Sequence, residues 1–204
     1  MNSGRWKVDS GGDWPLAAQA AGAGLELVVA AALERSGLSV GEARLGGALW
    51  ADPRGWRAEL NAGGERQALE AEFERGHHLL ARLAEAAAQA LGGTLNESAL
   101  RGFEDLATPS PGALLAYLAG LGSEPPERQR QWTRAFELDP ALAAARLGLA
   151  QLALLQPHGG AAAAELVRGI AVQDAAAAAE LGLGLWAAGE AQAAHAMLEV
   201  AARA

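Results

Sequence analysis

The sequence predicts an α+β protein: a small amino-terminal antiparallel sheet covered by helices, followed by an all-α array of helical hairpins. Three observations predict it. Apolar residues make up 51% of the 204 positions but aromatics only 5%, so the core must be built from Ala and Leu, which are strong helix formers. Between about Glu42 and Phe73 the apolar spacing leans toward alternation, the strand period. From Asn96 onward no alternation survives, and short apolar-striped segments are separated by Pro and Gly.

The elements follow in order. Asp13-Trp14-Pro15 opens a helix, with Asp13 able to cap free N–H groups and Pro15 tolerated in the first turn. Leu16, Ala20, Ala23, Leu27, Ala30 and Ala31 form its expected inward stripe as far as about Glu34, and Ser36-Gly37 ends it. Gly22-Ala23-Gly24 within it predicts close helix packing, since it is no dinucleotide fingerprint. Asp52-Pro53-Arg54-Gly55 and Asn61-Ala62-Gly63-Gly64 are turn sequences between strands of an antiparallel meander. Leu69, Ala71 and Phe73 alternate with Glu70, Glu72 and Glu74, a half-buried strand with a solvated acidic face. A helix from about Gly76 to Leu91 carries Leu79, Leu80, Leu83, Ala87, Ala90 and Leu91 inward, and Gly92-Gly93 stops it.

In the second half, Asn96 caps a short helix to Leu106, and Thr108 to Gly112 is the clearest linker. This divides the chain into an expected small α/β domain over 1–107 and a helical domain over 108–204. Ser110-Pro111 starts a helix bearing Leu114, Leu115, Tyr117 and Leu118. Pro125-Pro126 starts another, with Trp132, Ala135 and Phe136 inward, ending at Leu138. Asp139-Pro140 caps the next, from Ala141 to about Gln156. Three more follow, from Ala161 to about Val172, Asp174 to about Ala188, and Glu190 onward. Short helices joined by tight turns make antiparallel hairpins.

The composition argues against several classes. The formal net charge is -8 and Lys7 is the sole lysine, so the basic face of a nucleic-acid binder is missing. With no cysteine, disulfides, thiolate nucleophiles and Cys-based zinc sites are ruled out. No apolar run is long enough for a membrane span, and Met1 to Gly12 lacks the apolar stretch of a signal peptide, so a cytoplasmic location is expected. There is no Gly-x-x-x-x-Gly-Lys-Ser/Thr loop, and no cofactor is expected.

Leu147-Gly148 recurs as Leu181-Gly182, a spacing that matches helix–turn–helix repeats about 34 residues long. With Ala135-Phe136-Glu137-Leu138-Asp139-Pro140, Gly189-Glu190, and Ala194, Leu198 and Ala201, it resembles the tetratricopeptide repeat family over roughly Ser110 to Ala204. The middle repeat departs from the pattern with a Pro-His-Gly-Gly turn, and Gly169 and Val172 stand where Ala and Pro are usual. Without the repeat, the same helices read as an irregular bundle. Leu45-Gly46-Gly47-Ala48-Leu49-Trp50, the strand Trp56-Arg57-Ala58-Glu59-Leu60 and the helix ending at Leu91-Gly92 resemble the small α/β domain of the TolB amino-terminal and FlgO-like group. That family's apolar first strand is absent here or reduced to Trp6-Lys7-Val8.

The resemblance implies a non-enzymatic interaction module with a concave, mostly apolar groove. Tyr117, Arg146, Ala150 and Trp186 are the groove candidates, and Arg130 and Arg134, one turn apart beside Trp132, could clamp a partner carboxylate or phosphate. The Ala-rich last helix predicts an uncovered apolar face and hence a homodimer, with a protein partner or a second copy in the groove. His77-His78 reads as a polar helix start without metal, because neighbours on a helix point about 100° apart. His195 and Glu199 read as a surface pair. A regulatory or sensor protein is the alternative, its amino-terminal domain taking a small molecule or partner at Trp50 and Trp56.

Overall fold

In the computed structural model, the structure describes residues 7–9, 15–39, 45–52, 55–62, 65–72 and 75–203. The expected cap Asp13, the turn residues Pro53, Arg54, Gly63 and Gly64, and Phe73 and Glu74 lie outside them. The fold is α+β. A four-stranded sheet has the order β1 (Lys7–Asp9), β2 (Leu45–Asp52), β3 (Gly55–Ala62), β4 (Glu65–Ala71). β2, β3 and β4 form an antiparallel meander, and β1 pairs parallel to β2 through Lys7–Asp9 beside Ala48–Trp50.

The meander follows from its alternation. Trp56, Ala58, Leu60 and Leu69 are buried on one face, where β3 meets α2 (Gly76–Ala90). On the other face Arg57 lies directly opposite Glu70 at 3.3 Å, and Arg66 reaches Glu59 at 2.8 Å. These cross-strand pairs join β3 to β4 on the face turned away from α2, where Glu70 stays in solvent. Trp50 faces Arg57 whereas Trp56 faces Ala51 and Ala71, so the two tryptophans occupy opposite faces and do not form one aromatic site.

Helix α1 (Pro15–Arg35) buries a different stripe from the one its Ala spacing suggests. Ala21, Leu25, Val29, Ala32 and Leu33 are buried, whereas Ala23, Leu27 and Ala31 are exposed. The reason is that α1 is apolar on nearly every face, so its period does not select one, and the bulkier Leu25, Val29 and Leu33 gain more by burial than alanines do. The close packing expected at Gly24 is present. A Cβ there would sit 1.8 Å from the Leu118 carbonyl oxygen, and one at Gly122 would sit 2.0 Å from that of Ala20. Two glycines thus bring α1 against α4 (Pro111–Leu121) backbone to backbone.

Helix α3 (Glu97–Arg101) is capped by Asn96, whose Oδ1 accepts from the Ala99 N–H at 2.8 Å, and runs into a 3-10 helix over Gly102–Leu106. Ser110 caps α4 in the same way, at 3.2 Å from the Ala113 nitrogen. The helices then pair as hairpins: α4 with α5 (Pro125–Leu138), α6 (Ala143–Leu154) with α7 (Gly160–Val167), and α8 (Ala175–Ala187) with α9 (Ala191–Arg203). Asp139 closes the turn before α6, accepting from the Ala141 N–H at 2.9 Å, rather than capping the helix itself. Helix α7 stops at Val167, short of the expected Val172.

One packed cluster holds the sheet, α1 to α5 and the first turn of α6; a second holds the rest of α6 with α7, α8 and α9. The hydrophobic core therefore runs unbroken through the Thr108–Gly112 linker and divides within α6, between Ala145 and Leu147. Among the described residues no helix is long and apolar enough to cross a membrane.

Candidate functional site

The stripe of α1 left outside the core does not face open solvent alone. Leu27, Val28, Ala31 and Arg35 form one wall of a groove of about 470 Å³. The 3-10 helix supplies Phe103, Asp105 and Leu106, α4 supplies Tyr117, and α5 supplies Arg128 and Trp132. Leu147, Gly148 and Gln151 of α6 and Asp174 and Ala177 at the start of α8 complete it. The volume is in the range of ligand pockets, a few hundred Å³ with mostly apolar walls.

Trp132 sets the shape of the groove. Its indole Nε1 donates to the Tyr117 carbonyl at 3.2 Å, and its ring stacks on Tyr117 with centroids 5.9 Å apart and planes at 17°. Space for it comes from glycines on both neighbouring helices. A Cβ at Gly120 would lie 2.4 Å from Trp132 Cδ1, and one at Gly148 would lie 2.6 Å from Cε3. Arg128 covers the ring at 5.8 Å and donates to the Gly120 carbonyl at 3.3 Å and the Ser123 carbonyl at 3.0 Å, satisfying the end of α4.

The polar end of the groove is a clasp. Asp105, buried at 4% exposure, accepts from the Gln173 N–H at 2.8 Å and the Asp174 N–H at 2.9 Å. Asp174 in turn accepts from the Ala176 and Ala177 N–H groups at 3.0 and 3.1 Å, capping α8, and pairs with Arg35 at 2.6 Å. Asn96 ties down the other side of Arg35, donating to its carbonyl at 2.6 Å. Burial raises the Asp105 carboxyl above its usual value, against the two N–H donors that lower it. Burial likewise pushes the Tyr117 hydroxyl well above its ordinary value, helped by the charges of Asp105 and Asp174.

The residues singled out from sequence divide accordingly. Tyr117 and Trp132 meet in the groove. Ala150 is fully buried in the second core cluster and presents no surface to a partner. Arg146 turns to the end of α7, where its Nε donates to the Leu166 carbonyl at 2.7 Å and its guanidinium also reaches the Arg168 carbonyl at 2.8 Å. Arg130 and Arg134 lie exposed on α5 and do not line the groove, and Arg130 pairs with Glu127 on its own helix. Trp186 is 65% exposed on α8, beside Leu183, and does not line the groove. Helix α9 turns His195, Glu199 and Arg203 outward, joined at 3.3 and 3.2 Å. The large exposed apolar residues of this last hairpin are therefore on α8 instead. Sequence reasoning missed Leu27, Arg35, Arg128, Asp105 and Asp174. Asp174 carries a local signal, an acid directly before an Ala-rich helix, and Arg128 acts on near neighbours, Ser123 and Trp132; Leu27, Arg35 and Asp105 acquire their roles only through distant partners.

A second cluster lies outside the groove. His77 and His78 open α2 with their rings 4.1 Å apart, and both Nε2 atoms face Glu104 of the 3-10 helix, at 3.5 and 3.7 Å. This carboxylate comes from a separate element, beyond the reach of helical spacing from either histidine. His77 Nδ1 is buried with no hydrogen-bond partner, and burial holds this imidazole below its ordinary pKa. Comparison with protein-family models, with curated proteins and with solved structures finds no match for the chain.

Proposed function

We propose that this chain is a non-enzymatic interaction protein, with hairpins packed in the tetratricopeptide manner, and that the groove between α1 and the hairpins receives the apolar anchor of a partner polypeptide. The observation that carries this reading is the half-exposed Leu27, 51% open, set across from the stacked Tyr117 and Trp132 in an apolar hollow. Aromatic and aliphatic anchors held in such pockets supply most of the energy of protein association. The charged groups around it are engaged: Arg35 by Asp174, Arg128 by carbonyl groups, Asp105 by backbone N–H groups. That favours an apolar insert over an ionic one.

The test is selection of peptides from a random displayed library against the whole chain. The expected winners are amphipathic sequences with Leu, Met or aromatic anchors one helical turn apart. Their affinity should fall at least about tenfold, about 1.4 kcal/mol, in Leu27→Arg, a solvent-facing change that leaves the fold intact. Peptides that bind Leu27→Arg as well as the parent would overturn the reading. Self-association belongs to the same proposal, through Leu183 and Trp186 on α8; a single monomeric species by light scattering at micromolar concentration counts against it.

A further inference from the structure

The geometry points to a transition-metal site on the surface of the first core, formed by His77, His78 and Glu104. Their nearest ligand atoms all lie within 4.8 Å of one another, with the carboxylate oxygens 3.5 and 3.7 Å from the two imidazole nitrogens. Ligands around a tetrahedral zinc with bonds of about 2.0–2.1 Å stand roughly 3.3 Å apart. The carboxylate–imidazole spacings are already close to this, and small torsions of His78 and Glu104, both about half exposed, can close the remainder.

The donor set selects the ion. Two imidazole nitrogens and one carboxylate oxygen suit zinc, cobalt, nickel or copper, whereas calcium and magnesium prefer all-oxygen sites. Three protein ligands leave at least one position for water, so the site is open rather than structural. His77, whose side chain is only 9% exposed, is the fixed member, and its buried Nδ1 has no partner. Zinc-bound histidines ordinarily rest that second nitrogen on an acceptor. Lacking one, this site should bind less tightly than a zinc finger and exchange its ion readily. It lies on the same 3-10 helix whose Phe103, Asp105 and Leu106 line the groove, but it does not depend on the groove's function.

The experiment is calorimetric titration of the full, chelator-stripped chain with zinc alone. Cobalt absorption serves as a second readout, and calcium and magnesium as competitors. The expected result is one zinc per chain, a cobalt spectrum of low-coordinate type, and no competition by calcium or magnesium. His78→Ala and Glu104→Gln, both at exposed positions, should each weaken binding more than about tenfold, since loss of even an outer-shell partner costs 10–100-fold. His195→Ala, at the other exposed His–Glu pair, should leave it unchanged. Circular dichroism confirms that the variants remain folded. No binding tighter than about 1 mM, or binding that survives both His78→Ala and Glu104→Gln, overturns the proposal.

Discussion

Among the largest fully buried side chains of the described residues, Trp56 and nine leucines lie from Leu25 to Leu142, and only Leu181 and Leu185 lie beyond α6. The front of the molecule is held by bulky residues between sheet and helices. The rear is held by a smaller cluster, in which Leu147, Val167, Val172, Leu181, Leu185 and Met197 pack with alanines, and by the close fit of Gly182 against Leu198. Where the two regions meet at the groove, Asp105 and Arg35 of the front region grip the start of α8. Stabilisation follows the apolar area removed from water, and the front cluster buries the larger share of it. The front should therefore be the more stable unit, and the rear should open first.

The sharpest way to break that comparison is Trp56→Ala. It removes the largest fully buried side chain among the described residues, one packed so close to α2 that a Cβ at Gly76 would sit 2.8 Å from the indole nitrogen. The expected loss is about 3–5 kcal/mol in urea denaturation, with the whole chain unfolding at lower denaturant. A loss under 1 kcal/mol would show that the sheet is not the anchor. Gly24→Ala comes next, at about 3 kcal/mol, the upper end for overpacking, because the new methyl meets the Leu118 carbonyl and not a movable side chain. Leu185→Ala should cost about 2–3 kcal/mol, and it should act differently. Hydrogen exchange should accelerate in α8 and α9 while α2 stays protected, as expected of regions that open separately. Equal acceleration throughout would mean that the two clusters unfold as one.

How far the sequence discloses this arrangement depends on how local the signal is. The meander is legible because Trp56, Ala58 and Leu60 alternate with charged or polar neighbours, and an error of one residue would turn Arg57 into the core. Helix ends are legible where Asn96, Ser110 and Asp174 cap them through contacts two or three residues away. The buried face of α1 is not legible, since alanines and leucines surround the helix and periodicity has nothing polar to contrast. That failure concealed the site: Leu27 and Ala31, expected inside, are the wall of the groove. Trp132 reads correctly as inward from its helix, but its wedge between Gly120 and Gly148 requires three helices to meet. Glu104 approaches His77 and His78 only after the 3-10 helix folds against α2, and no spacing rule connects them.

The smallest expected effect tests the join itself. Asp105 accepts two backbone N–H groups with its two oxygens, and Asp105→Asn replaces one acceptor with a donor facing a donor. The loss should be about 1–2 kcal/mol, the cost of one unsatisfied buried group, and it should appear as faster exchange at the start of α8. Its pH dependence has a definite sign. Burial raises the folded carboxyl above its ordinary value of 3.8, with Asp174 adding to the shift and Arg35 opposing it. The folded protein therefore holds this proton more tightly than the unfolded chain. The resulting stabilisation is complete below the unfolded value and is lost as pH rises through the folded one. The advantage of the parent over Asp105→Asn should thus be larger at pH 4 than at pH 7, measured as the difference in denaturation midpoints. A difference that instead grows toward pH 7 would mean that the N–H groups of Gln173 and Asp174 outweigh burial, making the clasp a charge-assisted bond and not a buried acid.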